Sequence, residues 1–233
     1  MGSGSYPCRR ESSFPGFADE APCRVKVFGE TVFKEKEVDG SGTMQKKRYS
    51  NVAGFDDAPF DRGHRGKVPV VGTVYAGLRL DGVLLGEVEK DGFDAAEVIA
   101  DRIETSPFAQ HIHLVLIQGI AFAGFNVVDL FALSSRLAMP VLVVARKKPD
   151  LDAMRRVLES GSIPHGAAKW ALIREAGPME PLGNVYAQRA GLDEAAAADV
   201  IGRFAVNGHI PEPLRTAHLI AGALAFGYSR GRV

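Results

Sequence analysis

The sequence predicts one α/β domain built on a mixed sheet flanked by helices. Hairpin-forming runs cluster between residues 52 and 88, and from residue 94 onward helical patterns alternate with continuous apolar runs. That alternation implies parallel strand pairing. The 233 residues, 46% hydrophobic and 24% charged, allow a substantial core and argue against a disordered or fibrous chain.

Residues 1–45 are rich in Gly, Ser, Pro and charge, with one apolar patch at Val25-Lys26-Val27-Phe28, and read as an irregular arm before a domain over 46–233. Met1-Gly2-Ser3-Gly4-Ser5 lacks the basic and apolar regions of a signal peptide and reads as a cloning remnant. Cys8 and Cys23 are the two cysteines, too few for a zinc site or a disulfide framework, so a reduced, cytoplasmic protein is expected. The strongly apolar stretches, Ile112 to Ile117 and Met139 to Ala145, are too short to span a bilayer, and no membrane partner is expected.

The first strand is expected at Val52 to Phe55. Val68 to Leu78 and Val83 to Val88 then form a hairpin turned at Asp81-Gly82. Asp94 with Glu97 three residues later makes a capping-box pattern, and Val98, Ile99 and Ile103 line the helix that follows. Ile112 to Ile117 has the unbroken apolarity of a strand buried on both faces. Asn126 is expected to open a helix through about Leu137, followed by a strand at Pro140 to Ala145.

Asp150 or Asp152 starts the next helix, which Gly161 ends. Trp170 to Ile173 and Tyr186 to Arg189 read as short strands. Asp193 to Ala205 and Leu214 to Phe226 read as helices. Antiparallel strands, then a helix, then parallel strands alternating with helices is the order of an RNase H-like mixed sheet, one option among α/β topologies.

The 28 basic and 28 acidic side chains cancel, so any nucleic-acid contact must come from a local patch. Arg146-Lys147-Lys148 is one candidate; Arg62, Arg65 and Lys67 are another. Solvated loops are the plain alternative for both.

In an open α/β sheet, sites collect beyond the carboxyl ends of the parallel strands. That places the default site between Asp56-Asp57 and Gln118-Gly119. Adjacent residues of a strand point to opposite faces, so one of the two aspartates would enter the site. On spacing alone, Asp-Asp-Ala-Pro suits a turn better. A magnesium or manganese site needs further oxygen ligands, and Asp91, Asp94, Glu97 and Asp129 are the candidates to join Asp56. Capping explains Asp94, Glu97 and Asp129 as well.

Gly119 to Asn126 sets two glycines, Gly119 and Gly124, between a strand and a helix, where backbone amides can approach an anion. Close packing of helix on strand is the alternative. The spacing fits neither a dinucleotide nor a P-loop fingerprint. His218 lies beside Arg215 on the last helix, and His209 precedes it; packed or surface roles are the commoner use of such histidines. The commonest serine-hydrolase and zinc-protease motifs are absent.

Four blocks, VAGFDDAPF at 52–60, KDGFDAAEVI at 90–99, GIAFAGFNVVD at 119–129 and IPEPLRTAHLIAGAL with its GYSRGRV ending, together resemble the endonuclease dU family, which is similar to endonuclease V. The resemblance implies an RNase H-like fold and a divalent-metal-dependent endonuclease, using magnesium or manganese, that repairs DNA containing deaminated bases, deoxyuridine above all. Carried over by motif, it makes Asp56 a metal ligand with Asp57 beside it, points to Asp94 or Glu97 for a second acid, and puts Arg146 where endonuclease V has a lysine. On this expectation Asp56, Asp57, Asp94, Glu97 and His218 are catalytic. Gly119, Gly124, Asn126, Arg146 and Arg215 bind substrate, and Asp56, Asp94, Glu97 and Asp129 hold metal.

The chain departs from endonuclease V at Gln118-Gly119, where that family has an aspartate before the glycine. A neutral ligand there lowers magnesium affinity unless Asp57, Asp91 or Asp129 substitutes. The alternative expectation is a non-catalytic module that binds nucleic acid or nucleotide. The sequence leaves the oligomeric state undetermined.

Overall fold

A computed structural model describes residues 48–229. The expected arm over 1–45, its apolar patch and both cysteines lie outside the described residues. The first three strands, β1 (Asn51–Asp57), β2 (Lys67–Ala76) and β3 (Arg79–Glu89), pair antiparallel in sequence order. Their hairpin turns at Gly77-Leu78, not at Asp81-Gly82. Ala76 pairs with Arg79, and Gly77 takes φ 60° at the position where a two-residue turn requires positive φ. The register shifts between Val74↔Gly82 and Tyr75↔Leu80, leaving Asp81 as a bulge, and a Cβ on Gly82 would lie 2.3 Å from the Phe108 ring. The turn-like Asp-Gly pair therefore serves a bulge and a close aromatic contact.

Helix α1 (Ala95–Glu104) leads to β4 (Leu114–Gln118), which pairs parallel with β1. A small hairpin, β5 (Ala121–Phe122) with β6 (Asn126–Val127), precedes α2 (Leu130–Leu137). Asn126 thus starts a strand instead of a helix. Asp129 caps α2, accepting the Ala132 amide at 2.8 Å. Strand β7 (Val141–Ala145) continues the parallel sheet beside β4.

Helices α3 (Leu151–Glu159) and α4 (Gly166–Glu175) follow, so the strand expected at Trp170 to Ile173 is helical. The buried positions of α4, Gly166, Lys169 and Ile173, recur at helical spacing. A glycine and a lysine on that stripe hide its period from a reading based on apolar residues. A Cβ on Gly166 would lie 1.9 Å from the Leu158 carbonyl oxygen, which brings α4 directly onto the end of α3.

Strands β8 (Glu180–Leu182) and β9 (Val185–Ala190) close the other edge antiparallel, and α5 (Glu194–Phe204) and α6 (Glu212–Phe226) end the domain. The seven-stranded order is β3-β2-β1-β4-β7-β9-β8. The expected antiparallel-then-parallel sheet is present, extended by β9 and β8.

Alternation along the strands divides the core into two layers. Phe55, Val115, Ile117 and Val143 pack with Ile99 and Ile103 of α1 and with Leu130 and Leu133 of α2. Val52, Leu114, Leu116 and Val144 pack with Val200, Ile201 and Phe204 of α5 and with Leu214 of α6. No helix among the described residues is long and apolar enough to cross a membrane.

Helix α6 lies across β1 and β2. A Cβ on Gly54 would stand 2.7 Å from Pro213 Cβ and 2.8 Å from the Pro213 carbonyl carbon. The Thr73 hydroxyl donates to the Pro213 carbonyl at 2.7 Å, and Tyr75 and Thr216 share a hydroxyl hydrogen bond of 2.8 Å. Because backbone blocks the space above Gly54, Gly54→Ala is expected to lose about 1–3 kcal/mol of stability through overpacking. Gly63→Ala, where nothing lies within 4 Å of the added carbon, should stay within about 0.5 kcal/mol of wild type. Urea unfolding of both variants checks this; equal midpoints would refute the close approach.

Candidate functional site

The carboxyl ends of β1, β4 and β7 lie along one edge of the sheet, and Asp56 and Asp57 end β1 there. Asp56 is 5% exposed. Its Oδ2 lies 2.8 Å from Nδ1 of His218 on α6, and its Oδ1 accepts the Asp57 amide at 3.0 Å. Asp57 turns to the other side of β1, where its Oδ2 accepts the Ala123 amide at 2.9 Å. The two aspartates therefore reach different elements, α6 and the β5–β6 hairpin.

Burial, opposed by the His218 contact and the Asp57 amide, raises the Asp56 pKa above the ordinary carboxylate value. Burial and the neighbouring charge of Asp56 push the Asp57 carboxyl up to about 6. If Asp56 is ionised, the hydrogen bond places the His218 proton on Nδ1 and fixes the ring's tautomer.

Gln118 ends β4. The β1–β4 ladder ends at Phe55↔Ile117, so Asp56 and Gln118 are the next residues of the two strands and fall on the same face of the sheet. Its Oε1 is buried and has no hydrogen-bond partner. An unsatisfied buried oxygen beside a carboxylate is a donor set suited to a hard cation that completes its shell with water and phosphate oxygens.

The other acids have different tasks. Asp94 makes no side-chain cap to its own helix. Its carboxylate instead accepts the Glu89 amide at 3.2 Å and Asn126 Nδ2 at 2.5 Å. Asn126, fully buried, donates also to the Glu89 carbonyl at 2.9 Å and accepts the Ala95 amide at 3.0 Å. A residue distant in sequence thus caps α1, in place of the expected capping box. Asp129 caps α2, and Glu97 is exposed on α1. Among the described residues no three His, Cys, Asp or Glu side chains form a group able to hold a metal ion, so Asp56, Asp94, Glu97 and Asp129 do not assemble as one ligand set.

Asp91, at φ 52°, donates its amide to the Ala123 carbonyl at 2.9 Å and accepts the Phe125 amide on Oδ1 at 2.8 Å. Ala123 is itself left-handed at φ 45°, and two such non-glycine residues cost about 1–3 kcal/mol each. Gly124, at φ 88°, lies against Asp91, where a Cβ would come within 2.5 Å of Oδ1. Lys169, fully buried on α4, donates to the Asp91 carbonyl at 2.5 Å. Burial lowers its pKa, against the pull of the Asp91 charge. The tie from Lys169 was not read from the sequence; its one sequence signal is the helical spacing from Gly166 to Lys169 to Ile173.

Of the remaining expected residues, Gly119 takes φ 76° and donates to the Val144 carbonyl at 2.9 Å. Arg146 is exposed just beyond β7. Arg215 is paired with the buried Glu212, Nε to Oε2 at 2.9 Å, which commits its guanidinium within α6.

A family described as endonuclease dU matches residues 48–225. A UPF0215 protein of Deinococcus radiodurans is 54% identical over 185 residues, covering 79% of this chain and 94% of its own length. A crystal structure of a protein of unknown function from Archaeoglobus fulgidus aligns with TM-score 0.69 and 31% identity, covering 75% of this chain and 97% of that one. Endonuclease V from Bacillus subtilis aligns with TM-score 0.50 and 12% identity over 76% of this chain and 81% of its own. That likeness is one of fold, the RNase H-like arrangement.

Because the Asp57 pKa is raised in the folded state, the native protein binds more protons than the unfolded chain between about pH 4 and 6. Stability contributed by Asp57 therefore falls as pH rises through that window. Asp57→Asn keeps an oxygen for the Ala123 amide and removes the charge. Its stability relative to wild type should be higher at pH 7.5 than at pH 4 by up to about 3 kcal/mol. Thermal melts at the two pH values measure this, and a pH-independent difference would refute the burial of a destabilised carboxylate.

Proposed function

The chain belongs to the endonuclease dU family, and from that premise we propose that it is a divalent-metal-dependent endonuclease cutting DNA that contains deaminated bases, deoxyuridine foremost. Family and fold together point to a nuclease. The observation that carries the finer reading is the buried Asp56–His218 pair at the end of β1, next to the unpartnered Gln118 oxygen.

Asp56 and Gln118 Oε1 are the residues that would hold magnesium or manganese. When bound, the cation supplies Lewis-acid stabilisation of charge on the scissile phosphate. His218 can take up or deliver a proton at its imidazole, and Asp56 orients the ring. Asp57 is held by Ala123 at the opposite side of β1, where it adds negative charge near the pair. The β5–β6 hairpin, including Gly124 and Asn126, acts with Gly119 at the end of β4 mainly as the rigid wall of this edge, with Arg146 at its far side.

The neutral Gln118 favours a second reading, a metal-independent nucleic-acid-binding module. The two readings separate cleanly. Incubated with magnesium or manganese, the full chain should cut an oligonucleotide carrying one deoxyuridine, and Asp56→Ala should lose at least about 100-fold in rate. Metal-independent gel shift with intact DNA would select the binding module instead.

Gln118→Asp adds ligand charge and should lower the magnesium concentration for half-maximal cleavage by about tenfold. An unchanged metal requirement would remove Gln118 from the ligand set.

A further inference from the structure

The β1–β2 connection and the β7–α3 connection leave the sheet at the same edge as Asp56, because β2 runs antiparallel to β1 while β4 and β7 run parallel to it. The first carries Arg62, Arg65 and Lys67, and the second Arg146, Lys147 and Lys148. All six are exposed, and no carboxylate pairs with any of them among the described residues. Of the other arginines, Arg79, Arg136, Arg189 and Arg203 are in ion pairs, while Arg48, Arg102, Arg156 and Arg174 are exposed as single residues on separate segments. Asp61 adjoins the first cluster, Glu89 lies across from Lys67 on β3, and Glu87 and Asp101 line a cavity with Lys67; Asp150, capping α3, follows the second.

The first loop is built from its own backbone. Lys90 Nζ donates to the Arg62 carbonyl at 2.8 Å and the His64 carbonyl at 2.9 Å, and it lies 5.6 Å from the Phe60 ring centroid. The Lys90 amide donates to the Gly66 carbonyl at 3.0 Å, and His64 Nε2 lies 3.0 Å from the Lys67 carbonyl. One lysine thus organises the loop's carbonyls inward while its arginine side chains project into solvent. Such preorganisation lowers the ordering cost of binding an anion.

We infer that these two clusters form a phosphate track, binding the backbone of the nucleic acid on either side of the Asp56–Gln118 strand ends. The sheet order puts β2 and β7 three strands apart, on the order of 14 Å, or about four nucleotide steps of one duplex strand. The ligand is the phosphodiester backbone, read without regard to base. The inference rests on the proposed action on nucleic acid and adds to it the surface that holds the strand.

The test is fluorescence anisotropy of a labelled deoxyuridine-containing oligonucleotide, single-stranded and duplex, over a range of KCl concentrations with the full chain. Arg62→Ala/Arg65→Ala/Lys67→Ala and Arg146→Ala/Lys147→Ala/Lys148→Ala should each weaken binding about 10- to 100-fold, and each should flatten the log–log salt slope by about 2–3. Arg48→Ala/Arg79→Ala, which removes exposed cations at the opposite edge of the sheet, where Arg79 pairs with Ala76 and Ala76 with Asn51, should leave the slope unchanged. Circular dichroism of the variants identifies any that fail to fold; for such a cluster, Arg→Gln and Lys→Gln replacements give the same readout. Unchanged slopes and affinities in both cluster variants, or wild type that binds neither oligonucleotide, would overturn the track. Wild type that binds with the expected salt slope but cuts nothing leaves the track standing and refutes the nuclease reading instead.

Discussion

Helix α6 can lie directly on β1 because Gly54 has no side chain, and that close approach governs the geometry of the strand end. Pro213 occupies the space where a Cβ would stand, and Thr73 and Tyr75 tie the first turns of α6 to β2. With the helix at this depth, His218 comes within hydrogen-bond reach of Asp56, two residues beyond Gly54. A bulkier residue at 54 would lift the helix and separate the pair. Backbone packing and the chemistry of the strand end are thus one constraint.

On the other side of the strand, the β5–β6 hairpin performs the corresponding task for Asp57. Its tip is held by Asp91, whose amide donates to the Ala123 carbonyl and whose carboxylate accepts the Phe125 amide, Asp91 is held by Lys169, and the hairpin's base is held by Asn126 through Glu89, Asp94 and Ala95. Each of these polar groups is satisfied within the cluster, so the network gains the rigidity that a partly satisfied one lacks. The left-handed conformations of Asp91 and Ala123 are held in place by the same bonds. Asp91 and Asp94, which looked like metal ligands in the sequence, are in the fold the fastenings of this wall.

What remains at the edge is one buried carboxylate, a histidine and a neutral amide oxygen. Such a set offers a cation less charge than two or three carboxylates would, and leaves more of its coordination to water and substrate phosphate. The chain carries no net charge, so its attraction for a polyanion has to be local. Exposed cations at both ends of the same sheet edge provide that local field.

Strand and helix positions were legible in the sequence wherever they rest on interactions a few residues long. The apolar runs of β4 and β7, the caps at Asp129, Asp150 and Asp193, and the location of Asp56 at a strand end are of this kind. The resemblance of four separated blocks also pointed to the family. Residues used by a distant segment are not legible in this way: Asp81-Gly82 forms a bulge beneath Phe108, and Asn126 caps α1 through an amide 31 positions away. Lys169 hid the period of α4 because its charge is satisfied by a carbonyl 78 residues earlier. The pairing of Asp56 with His218 spans 162 residues. Periodicity and capping are set by neighbours within about one helical turn or one strand pleat, whereas these contacts exist only once the sheet is packed and α6 has settled on Gly54.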